Sequence, residues 1–325
     1  MSKKSGDTNQ HAGEAFRTAT ELQPDYAAAW SGLSTYYGAG AIVGTLRPED
    51  SLGPAEAAAR KAIELDPSLP EAHLALGSSI FINRWDWVQA QAEISRAIEL
   101  DPKFAEAYHF RAKILAALNR HDEAIHAQRI AAELDPFGRP WALALSLLLA
   151  RRYDEALLDA NQRLEANAMD SALYFVAAET YRRQGSQKES VQMLERELSL
   201  RGNKKDEESV RQAFRHGNYE GVLRWQIASL EERQRTKYVS PVALALLYAE
   251  LHVREKSLDL LEEGVRQRAP DLLWIQNDPA YDFLHKEERY RAIVRKVGLP
   301  EDFNAVSSKT MGIPKIRPLP PSKLR

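Results

Sequence analysis

Three near-copies of one phrase, Ala62-Ile63-Glu64-Leu65-Asp66-Pro67, Ala97-Ile98-Glu99-Leu100-Asp101-Pro102 and Ala131-Ala132-Glu133-Leu134-Asp135-Pro136, set prolines 35 and then 34 residues apart. A unit of that length holds one helical hairpin, and its apolar face is buried only against the next copy. The chain is therefore predicted to be a stacked array, and its function is expected to reside on surfaces.

Within one unit, Ala124, Gln128 and Ala131 share one helical face, and Tyr108, Ala112 and Leu115 share another. Two helices of about 13 residues fit the space. Leu118-Asn119-Arg120-His121-Asp122 between them is polar and long enough only for a tight turn, so the helices fold back antiparallel. Ala112 and Ala124 lack bulk where the two backbones approach. The Asp-Pro step ends the second helix, since proline disfavours helical geometry in the residue before it and cannot continue the ladder.

The order Trp/Tyr, Leu-Gly, Tyr, Ala, Ala, Pro resembles the tetratricopeptide repeat. Its best matches are Ala29-Trp30, Leu33-Ser34 and Tyr37 in the first complete unit, and Leu76-Gly77, Ile80, Ala90, Ala97 and Pro102 in the second. The resemblance implies an all-α, right-handed α-solenoid of stacked antiparallel helix hairpins.

Leu143-Ala144, Leu147 and Ala156 continue the series, and Ala177-Ala178, Tyr181 and Ser190 give a fifth unit, so the regular array spans 25–202. Residues 203–237 form a degenerate repeat, with Asp206 and Asn218 read as helix caps before 209–216 and 219–236. Register returns over 238–270 at Leu244-Ala245, Tyr248, Ser257, Leu261 and Gly264, followed by capping helices over 271–300. Trp85 and Trp87 are predicted to fill a widened turn in the second unit. Trp274, Tyr281, Phe283, Leu284, Tyr290, Ile293 and Val294 are predicted to seal the last hairpin, with Gly298 as its stop.

At the other end, Ala12, Phe16, Ala19 and Pro24 fit only the second helix of a unit, so 1–24 reads as a half repeat. Its open face implies a preceding segment, cover from another chain, or a frayed cap. The first complete unit is long, with 43 residues between Pro24 and Pro67; the excess is placed as an insertion at about 38–54. Residues 301–325, with Pro314, Pro318, Pro320 and Pro321 among Lys309, Lys315, Arg317, Lys323 and Arg325, read as a disordered tail. Within it, 315–321 matches a polyproline ligand with a leading cation. The expected body is an elongated curved rod.

A formal net charge of −2 gives no global attraction to phosphate, so direct nucleic-acid binding is not expected. The chain has no cysteine, which excludes disulfides, thiolate catalysis and cysteine-metal sites. No run of about 18 apolar residues is present to span a bilayer, and Met1–Gln10 is polar, so a cytoplasmic location is expected. The eight histidines form no His-Glu-x-x-His pair, and His121 and His126 diverge on a helix. Neither a phosphate loop nor a Gly-x-Ser-x-Gly elbow occurs. No catalytic, cofactor-binding or metal residues are assigned, and the chain is expected not to be an enzyme.

In the repeat it resembles, the first helix of each unit lines a concave groove. Positions displaced by two from the packing residues are rotated by about 200°, and they give Ser78, Phe81, His109, Lys113, Trp141, Leu145, Phe175, Glu179 and Arg182 as groove candidates. Oily anchors beside charges suit an extended or helical peptide from a protein partner. The alternative is that Phe81, Trp141 and Phe175 pack against neighbouring repeats. A carboxylate-clamping subgroup uses Lys and Asn on this face; Ser78, Glu106 and His109 depart from it, leaving Lys113 as the one suitable cation.

Arg84-Trp85-Asp86-Trp87, Tyr238-Val239-Ser240-Pro241 and Asn277-Asp278-Pro279 through Leu299-Pro300 also look like tetratricopeptide regions of bacterial regulators, which follow winged-helix, cyclase or Ser/Thr kinase domains. The primary expectation is a noncatalytic protein-interaction scaffold. The alternative is a sensory module of a larger transcription regulator, cyclase or kinase. The sequence does not set the oligomeric state.

Overall fold

A computed structural model describes residues 3–302, with side chains from residue 10 onward, and contains no strand among them. The expected tail lies outside the described residues, apart from Glu301 and Asp302. After α1 (Lys3–Leu22), helices pair in sequence: α2 (Ala27–Ile42) with α3 (Pro48–Leu65), α4 (Pro70–Asn83) with α5 (Trp87–Leu100), α6 (Ala105–Ala117) with α7 (His121–Leu134), α8 (Ala142–Leu149) with α9 (Tyr153–Ala166), and α10 (Ser171–Arg183) with α11 (Gln187–Leu200). Then come α12 (Lys204–Gln234), α13 (Pro241–Glu250) with α14 (Arg254–Arg266), two 3-10 turns at Pro270–Trp274 and Pro279–Leu284, and α15 (Glu288–Val297). No helix among the described residues is long and apolar enough to cross a membrane.

The repeated Asp acts with the proline to stop each second helix. Asp66, Asp101 and Asp135 leave helical geometry at φ −144°, −136° and −139°. Each carboxylate accepts a backbone N–H just beyond it, from Ser68, Lys103 and Gly138 respectively, all at 2.9 Å. This side-chain turn competes with the helix for the same donors. Asn167, in a copy without the proline, accepts from Met169 N–H at 3.1 Å and does the same work.

The other turn of each hairpin has its own rule, which periodicity does not reveal. Two residues after the first helix, the backbone takes the left-handed region at Gly44, Trp85, Asn119, Arg151, Gly185 and His252. A side chain there costs about 1–2 kcal/mol relative to glycine, yet four of the six carry one.

The first complete unit holds no long looped insertion. Its excess lengthens α2 and α3, leaving 43–47 as the connection, with Pro48 at the first turn of α3. In the degenerate stretch, helix begins at Lys204 rather than near 209, capped by Asn203, whose side chain accepts from Asp206 N–H. Asn218 is the break (φ 51°, ψ −149°). A Cβ on Gly221 would lie 2.4 Å from the Ala213 carbonyl, so the two halves of α12 turn sharply on one another.

The array is not an open rod. Its last segment seals more than the last hairpin: it returns across the ends of the first helices and joins a core shared by α2–α6, α13, α14 and α15. Phe81, fully buried, has the Trp87 and Trp274 rings 5.6 and 6.4 Å away. The Trp87 indole donates to the Val297 carbonyl at 3.2 Å, across 210 residues. Arg268 donates to the Asn83 carbonyl at 2.6 Å while its guanidinium lies 4.8 Å from the Trp85 ring. The left-handed turn residues make this grip: Arg151 clasps Asp282 with two bonds of 2.6 and 2.7 Å, Asn119 meets Gln276, and His252 packs on Phe283. Tyr281 and Tyr290, both fully buried, donate to the Val242 and Ile275 carbonyls. Burial of each such aromatic contributes about 2–3 kcal/mol.

Within hairpins, small residues set the spacing. A Cβ at Gly77 would lie 2.9 Å from Ile94 Cδ1 and 3.1 Å from the Ala90 carbonyl, so α4 and α5 approach as closely as a hydrogen side chain allows. Gly77→Val is expected to destabilise the fold by about 1–3 kcal/mol. Gly53→Ala, where an added Cβ meets nothing within 4 Å, should be neutral or stabilising. Urea midpoints compared with wild type check both.

Candidate functional site

The nine groove candidates separate into two sectors. In the first, the returning C-terminal segment has taken the space. Phe81 is core, as described above. The half-buried Ser78 donates to the Ala75 carbonyl in its own helix at 3.0 Å. Leu145 and Trp274 pack on one cluster containing Ala112, Leu115 and Leu149. The buried His109 shares a 2.8 Å hydrogen bond through Nδ1 with Gln128 Oε1, and its ring meets Trp141 edge-on at 5.9 Å.

Since the Gln128 carbonyl accepts, His109 carries a proton on Nδ1. Burial, reinforced by Lys113 and Arg139, pushes its pKa down to about 4. Burial and then Arg139 lower Lys113 to about 8, Glu106 opposing them; its ammonium sits 4.9 Å from the Phe110 ring. Arg139 is held by Glu106 at 2.8 Å, over the Trp141 ring. His109 is thus paired with Gln128 and Arg139 with Glu106, while Lys113 lies against the Phe110 ring.

The second sector, between α10 and α13, is open. Phe175, Glu179 and Arg182 line a cavity of about 680 Å³ with Leu194 and Leu198 of α11, Trp225, Leu230 and Arg233 of α12, and Leu246 of α13. Phe175 is 46% exposed. At the mouth, Arg201 is tied to Glu197, while no carboxylate among the described residues pairs with Arg233. Sequence reasoning missed the residues from α11 to α13 because it searched only the first helices of regular units. Trp225 in an otherwise polar stretch was the available signal.

At the back of the cavity, Arg182 binds Glu179 at 2.9 Å, Asp278 at 2.5 Å and Glu250. Arg183 reaches the same Asp278 at 3.0 Å and donates to the Asn277 carbonyl. Burial alone would raise the Asp278 pKa, but Arg183 and Arg182 hold it well below the usual carboxylate range. Burial opposes the charge of Arg182 as well, and Glu179, Asp278 and Glu250 outweigh it. Glu250 is raised, by burial first, with Arg182 opposing. Asp278 thus joins the returning segment to the wall of the cavity. No three His, Asp or Glu side chains among the described residues are grouped as metal ligands would be.

Residues 105–137, covering α6, α7 and the turn beyond, match the family model of the tetratricopeptide repeat. Among solved structures the chain is similar to yeast Tom70, at 15% identity and a TM-score of 0.52, covering 90% of this chain and 63% of that one. That likeness shows the fold. Weaker superpositions include YrrB, described as a TPR protein with an unusual peptide-binding site (18% identity, TM-score 0.37, 62% of this chain and 100% of that one), and pilF of Pseudomonas aeruginosa (16% identity, TM-score 0.42, 74% and 90%). No curated protein sequence matches.

Two predictions follow from the electrostatics. Asp278→Ala leaves two buried guanidinium groups short of a partner and is expected to cost about 3 kcal/mol. Asp122→Ala, at a side chain 97% exposed, should stay within about 0.5 kcal/mol of wild type; urea titrations read both.

His109 and His121 are each held near 4, burial being the first cause for both. A histidine depressed in the fold takes its proton more readily when unfolded, so stability rises with pH across the interval. It is therefore expected to be lost as pH falls from about 6.5 to about 4. His109→Gln and His121→Gln should each flatten that loss in midpoint-against-pH curves.

Proposed function

We propose that the chain is a noncatalytic interaction scaffold that holds an apolar segment of a protein partner in the cavity between α10 and α13. The observation that carries this reading is the pairing of exposed Phe175 with Trp225, Leu194, Leu198, Leu230 and Leu246 around one open concavity, with Arg233 unpaired at its mouth. Apolar surface of this kind, left bare while the rest of the concave face is filled by the chain itself, is the mark of an interaction site. The ligand it fits carries two or three oily anchors at helical or extended spacing and a carboxylate for Arg233.

Of the nine sequence candidates, the reading keeps Phe175, Glu179 and Arg182 at the site. It assigns Ser78, Phe81, His109 and Leu145 to packing, and leaves Lys113 and Trp141 outside the cavity lining.

Selection of peptides from a displayed random library against the whole chain tests this. Enriched peptides are expected to carry apolar anchors with an acidic residue, and to bind Phe175→Glu or Trp225→Ala at least about thirty-fold more weakly. Arg233→Glu should invert the preference for acid. Peptides that bind all three variants as tightly as wild type would place the site elsewhere.

A further inference from the structure

The second half of α12 has a cavity on each side. One is the partner site. The other, about 580 Å³, lies toward α13 and the start of α14, and its lining includes Tyr219, Leu223, Ile227, Glu231, Tyr248 and Val253. The two differ in their free cations. The first has Arg233 unpaired, beside Asp206, which is bonded to Asn203 and pairs with no cation among the described residues. In the second, Arg224 is spent on Glu220 at 2.6 Å, and Glu231 accepts only the Tyr248 phenol at 3.2 Å; no cation among the described residues pairs with it. The second cavity therefore combines a tyrosine face, an aliphatic floor and an unmatched carboxylate.

The chain itself carries a segment of complementary chemistry. Residues 303–325 contain Lys309, Lys315, Arg317, Lys323 and Arg325 and no acidic side chain. Lys315-Ile316-Arg317-Pro318-Leu319-Pro320-Pro321 places a cation three residues before Pro318, and Pro318 three before Pro321. In a polyproline helix of three residues per turn those positions share an edge, the form that aromatic-lined grooves accept.

The reach is also adequate. The described chain ends at Asp302, where Glu301 pairs with Arg295 near the end of α15. At the start of α15, Glu287 pairs with Arg254, the neighbour of Val253 at the cavity rim. That helix of 10 residues spans about 15 Å, and the 13 residues from Asp302 to Lys315 extend up to about 43 Å.

We propose that residues 315–321 of this chain dock in the Tyr248–Glu231 cavity, with Pro318 and Pro321 against the tyrosine and aliphatic wall and Lys315 on Glu231. Arg233 at the partner cavity disfavours the basic tail there, whereas Glu231 in the second cavity has no paired cation among the described residues to compete with Lys315. Docking lays the tail along the second half of α12, the helix that also forms a wall of the partner site.

The test uses the full-length chain. Zero-length carbodiimide coupling of an equal mixture of unlabelled and ¹⁵N-labelled protein, read by mass spectrometry, is expected to give a Lys315–Glu231 bond within single-isotope chains. In parallel, Lys315→Glu with Arg317→Glu should raise amide exchange over 219–231 and 248–253 by about five-fold or more, with circular dichroism and urea midpoint unchanged. Both signals are required. Absence of the bond, a bond found mainly between labelled and unlabelled chains, or equal exchange in the variant would each overturn the proposal. None of these outcomes depends on partner binding, so the scaffold reading stands or falls separately.

Discussion

The closed architecture depends on one buried carboxylate. Asp278, 4% exposed, sits between Arg182 and Arg183 at the end of α10. Removing three charges from water is costly, and such a cluster adds little net stability compared with an apolar filling of equal volume. Its effect is positional. With Asp278 held there, Asn277 reaches the Ala116 carbonyl and Asp282 reaches Arg151. The flanking aromatics then fall onto Phe81 and into the α13–α15 core. Hydrophobic burial supplies the free energy, and the ion pairs fix the register in which it is realised.

That dependence explains an otherwise costly feature of the turns. A repeat needs a left-handed residue at the turn between its helices, and Gly185 supplies one without strain. Trp85, Arg151 and His252 accept the penalty because each side chain, projecting from that edge of the array, touches the returning segment. A sum of about 1–2 kcal/mol per turn is offset by a cation over an indole, a bidentate ion pair and an aromatic contact.

The hairpins, their antiparallel sense and the Asp-Pro stops were legible because each copy buries the same face against the next, which prints a period on the sequence. The closure was not, because Trp87 with Val297 or Arg182 with Asp278 are pairings made once, across 210 and 96 residues, and a single pairing leaves no period. Its trace was local. The phrases 84–87, 238–241 and 277–279 include the residues that make or flank the closure: Trp85 and Trp87 on one side, Asn277 and Asp278 on the other, and Tyr238 beside Gly44. Their shared physical role is architectural.

The same closure explains why helical rotation alone does not tell which groove positions stay open. Rotation locates the concave face of any first helix, but whether that face is open depends on what else the chain puts there. On α4 and α6 the returning segment and neighbouring repeats cover it, and Phe81 and His109 become core, the histidine neutral on Gln128. Beyond α10 the regular repeat fails, and the polar, glycine-interrupted run 203–237 cannot stack as tightly as an Ala-rich hairpin. Space therefore remains on both flanks of its second helix. The weakest repeat in the sequence is thus where this fold has surface to offer, because imperfect stacking is what leaves apolar side chains such as Phe175 and Trp225 without a full set of neighbours.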